Sequence, residues 1–285
     1  MVYRGILRWK DGGAFLEADS GEHLLKGCRI WNGYLHHWRD QSVCARKLPQ
    51  KDYETGEAII IVWPDVPPAE EPFVEIYYNE RLVKYPASTF GHNAINVNGE
   101  FFNFSHLLNE NESIDEAEFM YRPALGEFAP SPNTGEFEIK EDGTAYFDKF
   151  GRNFMRSIHV IRVEGIDVKW LAGIYHDELK TIHDAPSNPA SPEKYKDFSF
   201  FNRSCTTIIR DGLRKYGFQK INGFLPRDFF ISAAWEIWKA QKTLGLKIRL
   251  YKRPQLKVPE ALFSKKTLLL NPRNWVRLRK LPGIK

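Results

Sequence analysis

Between residues 3 and 63 the apolar and polar positions alternate in short runs, YRGILRW, AFLEA, HLLKGCRIW, SVCARKL and AIIIVW, broken by turn residues such as Asp11-Gly12-Gly13 and Ser20-Gly21. A period of two is the mark of half-buried strands, and five of them in about 60 residues predict a small β-barrel. The stretch PDVPPAEEP that follows is Pro-rich and acidic, so it is extended and non-helical and marks a boundary. The pattern thus divides the chain into a β-barrel over 1–65, a linker over 66–72, a larger domain over 73–255 and a basic C-terminal extension over 256–285.

The larger domain opens on a strand with a turn, FVEIYYNERLVKYP, followed by STFGHNAINVNGEFFNFS. There Asn98-Gly99 stands between alternating runs, a strong hairpin signal because both loop positions of the tight turn need positive φ. With Val97 opposite Glu100, counting outward sets Ala94 against Asn103 and His92 against Ser105, and all four share one face. EFEIKEDGTAYFDKF predicts a second hairpin turning at Asp142-Gly143, and SIHVIRVEGI a further strand. DVKWLAGIYHDELKTIHD and PRDFFISAAWEIWKAQKTLGL have a helical period, the latter with Pro226 in its first turn, and APSNPASPEKY is a Pro-broken loop. The fold class is α+β, an antiparallel sheet packed on helices.

The segment FFNRSCTTIIRDGLRKYGF starts a helix at a cysteine. Cys205, Ile208, Ile209, Gly212, Leu213 and Tyr216 recur at the spacing of one helix face, which turns Cys205 inward. Asn202 and Ser204 are both suited to capping, and Gly217 follows Arg214 and Lys215 as a stop signal. A thiol in the first turn meets the unpaired N–H groups and the positive end of the macrodipole, which favour thiolate and can hold an oxyanion. A base is still needed, and His92, on a strand among small and polar neighbours, is the candidate. An Asn that accepts the imidazole N–H fixes tautomer and orientation, a part for which Asn103 is the first choice and Ser105 and His159 the alternatives. The plain alternative is that Cys205 is a small core residue on an apolar helix face.

Composition narrows the picture. An apolar fraction of 42% with 14% aromatics describes a folded globular chain. The N-terminal MVYRGILRWKDGG offers neither a signal-type apolar run nor a membrane span, so the expected location is the cytoplasm as synthesised. Three cysteines, Cys28, Cys44 and Cys205, form no disulfide framework; a Cys28–Cys44 bridge fits an oxidising compartment, two buried thiols a reducing one. The net charge of +5 is concentrated in the tail NPRNWVRLRKLPGIK and reads as a solvated surface. Cys28, His36, His37 and Cys44 match no familiar zinc spacing, His176 and His183 share a helical face without a third ligand, and no Gly-rich phosphate loop occurs. The expectation is therefore no metal, no cofactor and no nucleotide chemistry.

TFGHNAINVNGEFFNFS and YKDFSFFNRSCTTIIRDGL, about a hundred residues apart, resemble the circularly permuted papain-like group, in which the histidine strand precedes the cysteine helix. Within it the chain is most similar to the family named for the N-terminal periplasmic domain of the lyso-form lipoprotein transacylases. Phe90-Gly91-His92, Asn103-Phe104 and Phe200-Phe201 ahead of Cys205 carry the likeness over roughly residues 74 to 240, while Ser204 stands where that family favours Asn. The resemblance implies a thiol hydrolase or acyltransferase with Cys205, His92 and Asn103 as its catalytic residues. It points first to an amidase or peptidase on bacterial cell-wall peptides, and second to acyl transfer to or from lipid or lipoprotein. Without a signal segment, such an enzyme would leave the cell as cargo of a dedicated secretion machine, with delivery or immunity proteins as partners.

A different class of function comes from the first domain. Trp9, Trp31, Tyr34 and Trp38 with Arg29 and Arg39 could stack on bases or sugars in a nucleic-acid- or glycan-binding module, or simply fill a small core.

Overall fold

The computed structural model describes residues 1–11, 13–25, 32–51, 58–67, 69–82, 88–105, 110–122, 153–186, 197–258 and 263–282. The early alternating runs become β1 (Tyr3–Lys10), β2 (Gly13–Ala18), β3 (Gly21–Leu24), β4 (Ser42–Lys51) and β5 (Ala58–Pro64), antiparallel in the order β3-β2-β1-β4-β5. The expected barrel is a misreading: among the described residues nothing pairs β3 with β5, and the sheet stays open. The reason lies in what covers its apolar face. After β3 the chain forms a short helix, α1 (Asn32–His37), and Tyr34, Leu35 and the following Trp38 pack on Leu7, Leu16, Val43 and Val62. Leu82, Phe154, Met155 and Val258 from later in the chain complete that core. A sheet whose apolar face is covered by other elements has no need to close on itself. The run HLLKGCRIW is a strand only at its start, and residues 26–31 lie outside the described residues, as do Arg29, Trp31 and Cys28. Tyr34 and Trp38 are core residues at 4% and 7% exposure, so neither can stack on a ligand. Trp9 lies flat on His36, ring centroids 4.4 Å apart.

The second sheet has six antiparallel strands. β6 (Phe73–Asn79) is buried along its whole length, while the two-residue β7 (Arg81–Leu82) lies outside this sheet. β8 (His92–Val97), β9 (Glu100–Ser105), β10 (Glu110–Asp115), β11 (Ile158–Glu164) and β12 (Lys247–Arg253) complete the order β10-β9-β8-β6-β11-β12. One face, with Val74, Ile76, Tyr78, Ile95, Val97, Phe102, Phe104, Ile161 and Val163, packs against α3 (Val168–Asp184), α4 (Cys205–Tyr216) and α5 (Pro226–Leu244). The other face, with Tyr77, Ala94, Phe101, Ile158 and Val160, is covered by Phe119 and Met120 of α2 (Glu116–Tyr121). Burial on both faces explains why apolar residues of both parities occur in β6 and β11. The architecture is thus mixed α+β, antiparallel sheets with helices.

Two sequence signals are realised closely. Asn98 and Gly99 take φ of 54° and 97°, as the tight hairpin between β8 and β9 requires. Gly212 lets α4 approach α3: a Cβ there would lie 2.4 Å from the Tyr175 ring, whose hydroxyl donates to the Ile209 carbonyl at 3.0 Å. The tail beyond residue 255 contributes β13 (Ser264–Lys265), paired with β7, and α6 (Pro272–Lys280). α6 is docked on α5 through buried Asn274, which donates to Asp228 Oδ1 at 2.8 Å, and through Arg277 with Glu236 at 3.1 Å. The hairpin expected at Asp142-Gly143 lies outside the described residues, as do most of the segments 106–135 and 184–200. No helix among the described residues is long and apolar enough to cross a membrane.

Candidate functional site

The hairpin register decides where His92 goes. Ile95 pairs with Phe102, Asn96 with Phe101 and Val97 with Glu100, so continuing the ladder sets Ala94 against Asn103 and, two residues further out, His92 against Ser105. His92 and Asn103 are therefore diagonal neighbours on one face, close enough for long side chains to meet. His92 Nε2 donates to Asn103 Oδ1 at 2.8 Å, and Asn103 is only 2% exposed. Because an amide oxygen can only accept, this bond places the ring proton on Nε2 and leaves Nδ1 as the basic nitrogen. Gly91 fixes the entry of the strand: it has φ +77°, and a Cβ there would stand 2.5 Å from the Asn79 carbonyl oxygen. No other residue could bring His92 into β8 by this path.

Cys205 is the first residue of α4. Of the two capping types in the sequence, Ser204 is the one used: its side chain accepts from the Thr207 amide, and Thr207 Oγ1 accepts from the Ser204 amide at 2.8 Å. This reciprocal box holds the first turn and leaves Cys205 at its mouth, half-buried, against the strand end that carries His92. Burial by itself raises the thiol. The charge and hydrogen bond of the His92 imidazole, the Asn93 backbone N–H and the Thr206 hydroxyl together outweigh it and hold Cys205 below the ordinary cysteine range. The His92 imidazole thus acts on the Cys205 thiol and is bonded to the Asn103 amide.

One part of this arrangement was not foreseen. Asn93 and Thr206, the residues next to His92 and Cys205, are fully buried and bonded to each other, Thr206 Oγ1 donating to Asn93 Oδ1 at 2.8 Å. Asn93 Nδ2 donates to the Tyr77 carbonyl at 2.9 Å and to the Pro226 carbonyl at 3.3 Å. A single amide therefore ties β8 to β6, to the start of α4 and to the start of α5. The signal in the sequence was its parity: Asn93 alternates with Ile95 and Val97, placing an amide on the face that packs on helices, where a buried polar group needs partners. A second brace holds the loop before Cys205. Arg203 is bonded to Asp197 at 2.7 Å and to Glu178 of α3 at 2.5 Å.

One alternative for the third position, His159, is two strands away from His92. His159 lies on β11, with β6 between it and β8, and its Nε2 meets Glu80 Oε1 at 2.9 Å. Ser105 ends β9, opposite Glu110. His183 Nε2 donates to the Asn111 carbonyl at 2.8 Å and His176 meets Glu100 at 3.2 Å, which accounts for that histidine pair. Cys44 is a free buried thiol on β4, facing Asp65 Oδ1 at 3.4 Å. Among the described residues no three His, Cys, Asp or Glu side chains converge as a metal site. No known family model, characterised protein or solved structure matches the chain.

Proposed function

We propose that the chain is a cysteine hydrolase or acyltransferase that works through an acyl-enzyme on Cys205. The observation that carries this reading is the relay itself: a helix-start thiol held down by an imidazole whose far nitrogen is fixed by Asn103 at 2.8 Å. In this scheme His92 Nδ1 takes the thiol proton, and the sulfur attacks an acyl carbonyl carbon. The tetrahedral oxyanion forms beside the amides of the first turn of α4, the C–N or C–O bond breaks, and His92 returns the proton to the leaving group. A water or another acceptor then attacks the thioester, His92 takes its proton, the C–S bond breaks, and the thiol is restored. Asn103 keeps the ring in the tautomer that both steps use.

The resemblance set out from Phe90-Gly91-His92 and the Cys205 helix puts amide bonds of bacterial cell-wall peptides first among acyl donors, and lipid or lipoprotein esters second. Both pass through the same thioester. The test is mass spectrometry of the Cys205 peptide after incubation with 4-nitrophenyl acetate, and of the soluble products after incubation with purified peptidoglycan, comparing the native chain with Cys205→Ala. An acyl increment on Cys205, with product release lost in Cys205→Ala, supports the reading. Turnover that survives Cys205→Ala, or a Cys205 that never acylates, overturns it.

A further inference from the structure

The C-terminal tail takes no part in the chemistry of Cys205, yet its composition is one-sided. Residues 261–285 hold seven Lys and Arg and no Asp or Glu. The same tail carries five large apolar side chains that are more than half exposed, Phe263, Leu268, Leu270, Trp275 and Val276. A single exposed apolar residue needs no explanation, but a group of them among cations does.

α6 sorts these residues by face. Helical spacing puts Asn274, Arg277 and Leu278 on the side turned to the protein, where Asn274 is buried, Leu278 packs on the core of the second sheet and Arg277 is held by Glu236 at 3.1 Å. Arg273, Trp275, Val276, Arg279 and Lys280 fall on the other side, and all five are exposed. Among the described residues no carboxylate pairs with Arg273, Arg279 or Lys280, so the outer cations keep the charge that Glu236 neutralises on the inner one. Leu270 precedes the Asn271 cap and Trp275 is the fourth residue of the helix, positions that lie side by side at a capped helix start. Leu268 turns outward with Leu270, on either side of buried Leu269.

The mixture identifies the occupant. Apolar and cationic side chains interleave residue by residue, without the apolar centre and polar rim of a protein interface. A nucleic acid would meet the cations and leave Leu270 and Val276 nothing apolar to enter. An anionic bilayer surface answers both: Trp, Val and Leu enter the headgroup boundary, and Arg and Lys reach back to the phosphates on flexible stems. We propose that the outer face of α6, with Leu268 and Leu270 ahead of it, docks this chain on an anionic lipid bilayer. At nine residues α6 lies in that surface and does not cross it. The proposal stands apart from the acyl-enzyme reading, so Cys205→Ala should bind as the native chain does.

The experiment is co-sedimentation of the full chain with vesicles of phosphatidylcholine alone and of phosphatidylcholine and phosphatidylglycerol in equal parts. The native chain should bind the anionic vesicles far more tightly than the neutral ones. A cation at such a surface contributes about fivefold in affinity, so Arg279→Gln with Lys280→Gln should weaken binding about 25-fold. Lys10→Gln with Lys47→Gln removes the same charge from exposed positions of the N-terminal sheet and should leave binding within about twofold. Trp275→Ser with Val276→Ser should cost about tenfold or more at unchanged charge. Where a variant fails to fold, hydrogen exchange of the native chain on the anionic vesicles decides: residues 268–280 should gain protection, and no change there overturns the proposal. It is equally overturned if the native chain ignores anionic vesicles, binds both kinds alike, keeps its affinity in both α6 variants, or binds a single-stranded oligonucleotide and no vesicle.

Discussion

Cys44 is buried on β4 and Cys205 half-buried at the start of α4, and their thiols are pushed in opposite directions. At Cys44 burial and then the Asp65 carboxylate raise the thiol to about 11. At Cys205 burial also raises it, but the imidazole of His92, the Asn93 N–H and the Thr206 hydroxyl reverse the sign. A strand thiol has no backbone dipole aimed at it, and a carboxylate beside it stabilises S–H. A thiol at a capped helix start, facing a base, is stabilised as the anion. Burial therefore does not set the direction in which a thiol is pushed; the partners do. The N-terminal sheet sets its cysteine beside a carboxylate, and the second sheet holds the start of α4, with its cysteine, in a frame of hydrogen bonds.

The largest effect is expected at His92. His92→Ala removes the largest of the groups that lower the Cys205 thiol, and turnover of an acyl ester should fall by about 10²–10⁴-fold, the range of a positioned general base. Asn103→Ala should cost less, on the order of tenfold to a hundredfold, since nucleophile and base remain, whereas His159→Ala should leave the rate on the same ester within about twofold. Steady-state rates of the three variants decide this; a full effect from His159 would mean that the third role is misassigned.

Thr206→Val sharpens the comparison from the side of the frame. It leaves Asn93 Oδ1 buried without its donor, a loss of about 1–3 kcal/mol read from chemical denaturation. The same variant should slow Cys205 alkylation near neutral pH, whereas a destabilising change in the N-terminal core should not. The smallest change is expected on the other side. Asp65→Asn removes the secondary cause of the raised Cys44 thiol and leaves burial, the main one, so the alkylation midpoint of Cys44 should drop but stay above the free-thiol value of about 8.5.

Much of the site was legible because it rests on local rules. The Asn98-Gly99 turn fixes a two-residue loop, the loop fixes the register, and the register makes His92 and Asn103 neighbours without any tertiary information. The cap, inward face and stop of α4 follow from Ser204, the spacing of Cys205, Ile208, Ile209 and Gly212, and Gly217. What the sequence hid depends on contacts between distant segments. Whether β3 meets β5 is not written in either strand; it depends on Tyr34 and Trp38 filling the space that a closed barrel would have enclosed. The charged tail around Arg277 looks like a solvated run until Glu236 and Asp228 of α5 are placed beside it. The bond between Asn93 and Thr206 joins residues 113 positions apart, and a sequence shows only that each is a polar residue where a buried one is expected.

The most direct test of the account is the pH dependence of iodoacetamide alkylation at Cys205 and Cys44 in the native chain, resolved by peptide mass spectrometry and repeated in His92→Ala. At pH 7 a thiol near 11 is ionised to about one part in ten thousand, so Cys44 should be almost inert. Cys205 should label with a midpoint below about 8.5, and that midpoint should rise when His92 is removed. A Cys205 midpoint at or above the free-thiol value, unmoved by His92→Ala, would contradict the claim that these two residues form a catalytic pair.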